Sequence, residues 1–364
     1  MLSQSPIRLT LGVICTALGL CACGSSGSEG DPGGSTGGAT GSGGSAGGTT
    51  VTGEAKAHGM FEIHYVTGAT ASSSYAEIGG FMYDGPPNEL VIWEKKKTEG
   101  DCSLYTPRTP FCASCDVSAG EQCVGDDVCR TPPSTHDVGA ITLTGLHPPS
   151  GANPLALTAV TNAAGTTYLC AETLPVPPCA EGGAVRLDAA GQGDYAAFGV
   201  QTQCIAPLLV TNPTIAIESG KTLTLNWTPS SATAARVEVE LDLSHHGGSK
   251  GKLICETADT GSLQIAGTLI ESLIALGVTG YPKAVVTRAL TGNAPVGSGQ
   301  AELKIYSDLY FVVEIPGLLS CQNDSDCPTG QTCQVPGQMC GISCTSNADC
   351  PSGQTCLATT NICQ

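Results

Sequence analysis

The 364-residue chain has little charge and few rings: 13% of its residues are charged and 4% are aromatic. Basic residues are scarce, 15 Lys and Arg against 32 Asp and Glu, for a formal charge of −17. An acidic chain in which no basic cluster stands out repels a phosphate backbone, so nucleic acid is excluded as a partner. So few charges also exclude a coiled coil and a highly charged disordered chain. The apolar stretch from Leu11 to Leu20 falls well short of the ~20 residues that a permanent membrane helix needs. What the chain has in quantity is Gly (48), Pro (23) and Cys (20). Twenty cysteines are hard to keep reduced and unpaired, which implies an oxidising compartment. At roughly 100–200 residues per domain, the length allows two domains plus small modules.

The N-terminus reads as an address. A short polar start with Arg8 precedes the apolar core, and Leu20-Cys21-Ala22-Cys23 closes it. That ending resembles a bacterial lipobox, which implies that residues 1–22 are a cleaved signal peptide and that Cys23 carries lipid. Two or three acyl chains give a stable anchor to the membrane. Gly24 rather than Asp after the lipidated residue leans toward the outer membrane of a cell envelope. The rest of 23–53 is a Gly/Ser-rich linker, with Gly at 13 of the 30 positions from Gly24 to Gly53. A coil of that kind has a root-mean-square reach of ~30 Å. Gly33-Gly-Ser-Thr-Gly37 and Gly43-Gly-Ser-Ala-Gly47 match the hydrolase pattern G-x-S-x-G, but no strand precedes them and no helix follows, so both matches are accidents of composition.

With Cys15 and Cys21 in the signal and Cys23 lipidated, seventeen cysteines remain. The strongest pattern is Cys321-x5-Cys327-x5-Cys333-x6-Cys340, repeated as Cys344-x5-Cys350-x5-Cys356-x6-Cys363. Each unit is too short for a hydrophobic core and must be stapled, by two disulfides in one of three connectivities. Zinc is disfavoured, since the spacings do not suit it and the segment has no His. The tandem resembles the Dickkopf N-terminal cysteine-rich repeat and the Cys-rich tails of myxobacterial envelope lipoproteins. That resemblance implies a small non-catalytic disulfide module. A first group, Cys102, Cys112, Cys115, Cys123 and Cys129, reads as a disulfide-stapled insert over 101–133. Cys170 and Cys179 are expected to pair across the turn made by Pro175, Pro177 and Pro178. Cys255 is then the outside partner of the first group, and Cys204 is the free, buried thiol.

From Ala57 onward the hydrophobic period is two. Met60–Val66, Val91–Lys96, Ala140–Gly145, Tyr195–Val200, Lys221–Trp227, Ala235–Leu243, Gly299–Tyr306 and Tyr310–Ile315 all alternate. The fold class expected is mostly β. Two β-sandwich domains, 54–206 and an immunoglobulin-like 207–317, stand before the small disulfide-rich repeats of 318–364. Trp227 is expected as a core anchor. Thr268-Leu-Ile-Glu271 reads as a capping box for one short helix, 269–276.

Candidates for chemistry are few. His245 and His246, with Asp242, Glu256 or Asp259, are weak candidates for a metal site, and a polar strand end is the plainer account. Asp324, Asp326, Asn347 and Asp349 offer oxygen to Ca²⁺, but their spacing suits capping better. No cofactor is expected. The expected role is non-enzymatic, a membrane-anchored envelope lipoprotein that binds protein or polysaccharide. The alternative is an envelope hydrolase or metal-binding protein using the His245/His246 region. The stretch Leu241–Lys250 also resembles a pattern recurring in myxobacterial lipoproteins, and that resemblance implies no activity.

Overall fold

The computed structural model describes residues 57–67, 73–163, 165–244, 248–279, 281–316, 318–334, 339–351, 355–357 and 362–363. The signal peptide, Cys23, the linker, His245 and His246 lie outside the described residues.

The first stretch supplies β1 (His58–Val66), β2 (Tyr75–Tyr83), β3 (Ile92–Glu99), β4 (Cys102–Arg108), β5 (Gln122–Val124), β6 (Val128–Arg130), β7 (Ile141–Thr144), β8 (Leu155–Asn162), β9 (Gly165–Leu169), β10 (Ala184–Ala189) and β11 (Phe198–Gln203). The next supplies β12 (Ile215–Ala216), β13 (Leu223–Asn226), β14 (Arg236–Asp242), β15 (Lys252–Ala258), β16 (Ser262–Ile265), helix α1 (Gly267–Ala275), β17 (Lys283–Val296) and β18 (Gly299–Glu314). The tail carries β19 (Thr332–Gln334), β20 (Met339–Gly341), β21 (Cys356–Leu357) and β22 (Ile362–Cys363). The protein is mostly β, with disulfide-rich clusters at its C-terminal end.

Among the described residues, one hydrogen-bonded network runs β11-β10-β7-β8-β9-β2-β1-β18-β17-β14-β15-β4-β3, and β12 adds to β18. The long hairpin β17–β18 is the spine. Near its turn, Ala301, Leu303 and Ile305 of β18 face a first core with Phe61, Ile63, Tyr65, Leu143, Leu187 and Val200. Farther along, Ala284, Val286 and Val313 face a second core with Leu225, Trp227, Val239, Leu253 and Ile265. Around the first core the sheet curls back until β11 meets β17. The contact is so close that a Cβ on Gly292 would lie 1.9 Å from the Gln201 carbonyl oxygen. In the second lobe the pair β13–β16 packs over β14, β15, β17 and β18, an immunoglobulin-like sandwich. Trp227 is the expected core anchor of that lobe, 4% exposed.

The two lobes are not divided at Ala206–Pro207, because residues 55–364 form one compact unit. Strand β1 runs parallel to β18 from His58↔Gln300 to Tyr65↔Ser307. Strand β4, expected inside the Cys-rich insert, instead pairs with β15 and joins the second core through Cys102 and Leu104. The insert therefore begins after Arg108. Strand periodicity marks which residues are extended but not which edge they will join. The helix also starts earlier than expected. Its N-cap is Ala266 with no side-chain cap, and Gly267 sits where a Cβ would be 2.2 Å from the Gly220 carbonyl oxygen. The capping box does not form, because the Thr268 hydroxyl donates to Glu99 on β3.

One charge network ties the lobes. Arg288 of β17 is fully buried. Its Nη1 donates to the carbonyls of Ala206 (3.2 Å) and Pro207 (3.1 Å), and its Nη2 to that of Thr228. Its Nε lies 2.8 Å from Asp259 Oδ2. Asp259 also accepts from Trp227 Nε1 at 2.6 Å and from the Ser230 N–H at 2.9 Å. Removing one partner leaves a buried charge unpaired, so Arg288→Met is expected to cost about 3–5 kcal/mol in urea unfolding. A loss within experimental error would show the network to be idle.

A second polar group sits in the first lobe. The Tyr168 hydroxyl donates to Asp137 Oδ1 at 2.7 Å and accepts from the Val138 N–H at 2.7 Å. That hydroxyl, the Gly139 N–H and Gln192 hold the Asp137 carboxyl below its usual range. A depressed carboxyl contributes stability that is present above its unfolded value, about 4, and is lost as pH falls through the folded one. Asp137→Asn should lower stability at neutral pH and flatten the decline between about pH 5 and pH 2. An unchanged slope in acid titrations followed by circular dichroism would refute that role.

Candidate functional site

The cysteines account for most of the sequence candidates. In the tail the bonds are Cys321–Cys333, Cys327–Cys340, Cys344–Cys356 and Cys350–Cys363, first to third and second to fourth in both repeats. The insert carries Cys112–Cys123 and Cys115–Cys129. Sulfurs of Cys112, Cys115 and Cys123 lie within 4.8 Å of one another, close enough for a metal cluster, but each is bonded to a partner sulfur. Cys255 is bonded to Cys102, directly across β15 and β4.

The expected Cys170–Cys179 bond is replaced by Cys179–Cys204, and Cys170 is the free thiol. Paired backbone bonds explain the choice. Gly182 donates to the Cys204 carbonyl and Cys204 to the Gly183 carbonyl, each at 2.8 Å, which draws the 179–183 segment onto the end of β11. The Cys170 N–H instead donates to Ile78 on β2 at 3.0 Å. Burial pushes the half-buried Cys170 thiol up. Cys204, expected to be free, is buried against the Tyr65 hydroxyl, 3.4 Å from its sulfur.

The repeat carboxylates serve the backbone. Asp326 Oδ2 accepts from the N–H groups of Gln322 (2.8 Å) and Asn323 (3.0 Å), and Asp349 Oδ2 from those of Thr345 (2.8 Å) and Ser346 (2.9 Å). Asp324 and Asn347 each accept from the N–H of a cysteine, Cys333 and Cys356, at 2.8 Å. These are capping contacts, as the spacing suggests. The companions proposed for a metal at His245 and His246 are also engaged elsewhere. Glu256 pairs with Arg236 at 3.2 Å, Asp259 belongs to the Arg288 network, and Asp242 accepts from the Ser244 N–H at 2.8 Å.

A feature not drawn from the sequence lies on the outer face of the run β18-β17-β14-β15-β4-β3, opposite the second core. Three of the four lysine–ring contacts among the described residues are there, and the fourth, Lys304 with Tyr306, is on the adjoining stretch of β18 that backs the first core. Lys95 Nζ lies 5.6 Å from the Tyr105 ring centre and Lys252 Nζ 4.4 Å from that of Trp93. Lys283 Nζ is 5.2 Å from Tyr310 and Lys304 Nζ 4.7 Å from Tyr306. Each such contact contributes roughly 0.5–1 kcal/mol at an exposed site. Lys252 also pairs with Glu240 at 2.8 Å. Tyr310 and Val312 are 63% and 66% exposed, large for apolar groups on a sheet. Burial, then Asp308, pushes the Tyr310 hydroxyl up to about 12.

Strand pairing aligns these groups. Lys95 is opposite Tyr105, and Tyr105 is opposite Lys252. Leu241↔Leu253 then sets Lys252 beside Asp242, which is opposite Lys283, itself opposite Val312. Cross-strand partners point to the same side of a sheet, so this is one continuous line on the solvent face. Adjacent to it, His64 Nε2 lies 2.7 Å from Asp308 Oδ1, and the imidazole stacks on Tyr306 with ring centres 4.4 Å apart. His64 is 6% exposed and its Nδ1 is buried, so the ring braces β1 against β18 and is not presented to a substrate. Sequence reading missed the line because its members come from six strands and only Lys95-Lys96-Lys97 is contiguous.

No family model and no curated protein matches the chain. Solved structures do match, among them the crystal structure of chicken CNTN1 FN1-FN3 domains, at 9% identity and a TM-score of 0.17. That alignment covers 68% of this chain and 71% of the other, and the superposition is too slight to bear on fold or function.

Peptide mapping of the unreduced chain should find Cys179 linked to Cys204 and Cys170 alkylated once the protein is denatured. A Cys170–Cys179 peptide would overturn the assignment.

Proposed function

We propose that this protein is an envelope lipoprotein, held to the membrane through lipid on Cys23, that binds an envelope protein or polysaccharide through the outer face of its central sheet. The role is non-enzymatic, and the outer membrane is the favoured location, on the lipobox-like start and Gly24. The observation that carries the binding reading is the line of rings and ammonium groups on an open face, with Tyr310 and Val312 exposed at its end. Tyrosine and tryptophan are the side chains that most often anchor recognition surfaces. A sheet face built from six paired strands presents them without further ordering.

Labelled full-length chain should bind isolated cell envelopes saturably. Tyr310→Ala combined with Val312→Ser should weaken that binding about tenfold, the scale of one modest anchor. Equal binding by the variant would remove the face from consideration. Separately, Cys23→Ser should shift the chain from membrane to soluble fractions with loss of the lipid mass.

A further inference from the structure

We infer that the outer-face line takes a linear acidic polysaccharide, laid across the strands from β3 to β18. This rests on the binding reading above and names its ligand class. Lys95, Lys252 and Lys283 stand on β3, β15 and β17, every second strand along one register line. Two interstrand steps of ~4.8 Å separate successive lysines, about 10 Å.

The state of the ammonium groups matters more than their number. Among the described residues no ion pair joins Lys95, Lys283 or Lys304 to a carboxylate, and each is held over a ring instead. An ammonium on a ring face keeps N–H donors for an outside acceptor. Lys252 spends one donor on Glu240 and has two more. Asp242 stands on the line between Lys252 and Lys283 but is 4% exposed and accepts from the Ser244 N–H. What the line presents to solvent is thus a strip of three ammonium groups on a chain of charge −17. Glu314 lies beyond Val312. The other acids form a row on the opposite side, with Asp308 opposite Thr287, Thr287 opposite Glu238, and Glu238 opposite Glu256. That acidic row confines a polyanion to the strip.

The rings decide between kinds of polyanion. Trp93, Tyr105 and Tyr310 lie beside the ammonium groups, so flat apolar surface alternates with positive charge. A chain of sugar rings bearing carboxylates presents the complementary alternation, apolar ring faces between regularly spaced anions. An acidic peptide supplies the charge without the flat rings, and a neutral glycan supplies the rings without the charge.

The test uses the full chain with polygalacturonate as probe and its fully methyl-esterified form as the uncharged counterpart. Affinity electrophoresis and calorimetry should show binding to polygalacturonate that weakens with salt and is at least about tenfold weaker for the ester. Lys95→Gln with Lys283→Gln should reduce binding about tenfold with no change in the unfolding midpoint, and Lys221→Gln, outside the strip, should leave it unchanged. No binding, equal binding to the ester, or binding indifferent to the double variant would each overturn the proposal. If envelopes still capture the chain in those cases and protease treatment of the envelopes abolishes capture, the partner is a protein and only this ligand class fails. If envelope capture is absent as well, the face reading fails with it.

Discussion

The fold depends on a hairpin that is too long for either lobe alone. Strands β17 and β18 run 14 and 16 residues, and their inward side chains serve two cores in turn. Where the cores meet, the inward positions are polar: Arg288 on β17 and Ser307 on β18, both fully buried. Ser307 Oγ accepts from the Leu208 N–H at 2.9 Å, and Arg288 takes three backbone carbonyls and Asp259. The segment 206–208 crosses from one lobe to the other at that point. A crossing segment carries backbone groups that cannot pair in a ladder, and buried unpaired groups are costly. The polar pair on the hairpin satisfies them. A buried ion pair is a weak source of net stability, but here it fixes where the chain crosses.

The same junction explains what could and could not be read from the residues. Strands with clean alternation, such as Met60–Val66 and Ala235–Leu243, were legible because apolar residues fill the more deeply buried face and polar ones recur on the other. Strand β17 was not, since Arg288 occupies an inward position and Gly292 and Pro295 interrupt the apolar set. Its alternation is real, with Ala284, Val286 and Arg288 all buried, yet a charged residue at the third inward position hides it. The Ala206–Pro207 break reads as a domain boundary for a related reason. It is a true crossing between cores, but strands on both sides of it contribute to each core. Chain order alone does not carry that information.

Cysteine pairing follows local geometry in the small modules and long-range register elsewhere. In the repeats, separations of 12 and 13 residues close loops around capped turns, and the spacing left only the choice among three connectivities. Cys102 and Cys255 are 153 residues apart and meet only because β4 docks on β15. Linking two such distant points restricts the unfolded chain more than a short loop does. Cys170 and Cys179 are close in sequence, yet their backbones belong to different pairings, one to β2 and one to the end of β11. Proximity along the chain was the wrong criterion there.

Three consecutive lysines on β3, an edge strand, have a plainer account, because charge on an edge blocks pairing with another chain. Geometry separates their duties. A register shift between Lys95 and Lys97 turns the side chains apart. Lys96 pairs with Glu94 at 2.5 Å, and Lys97 donates to the Thr268 carbonyl at 3.2 Å, in the first turn of α1. Only Lys95 joins the outer face, over Tyr105. Edge protection therefore accounts for Lys96 and Lys97 and is silent on Lys252 and Lys283, which stand on interior strands with no exposed ladder to guard. Interior positions on a solvent face favour β-branched and aromatic residues packed against their neighbours. Setting lysines there, each on a ring, is not required by sheet formation and is what the proposed recognition at that face would use.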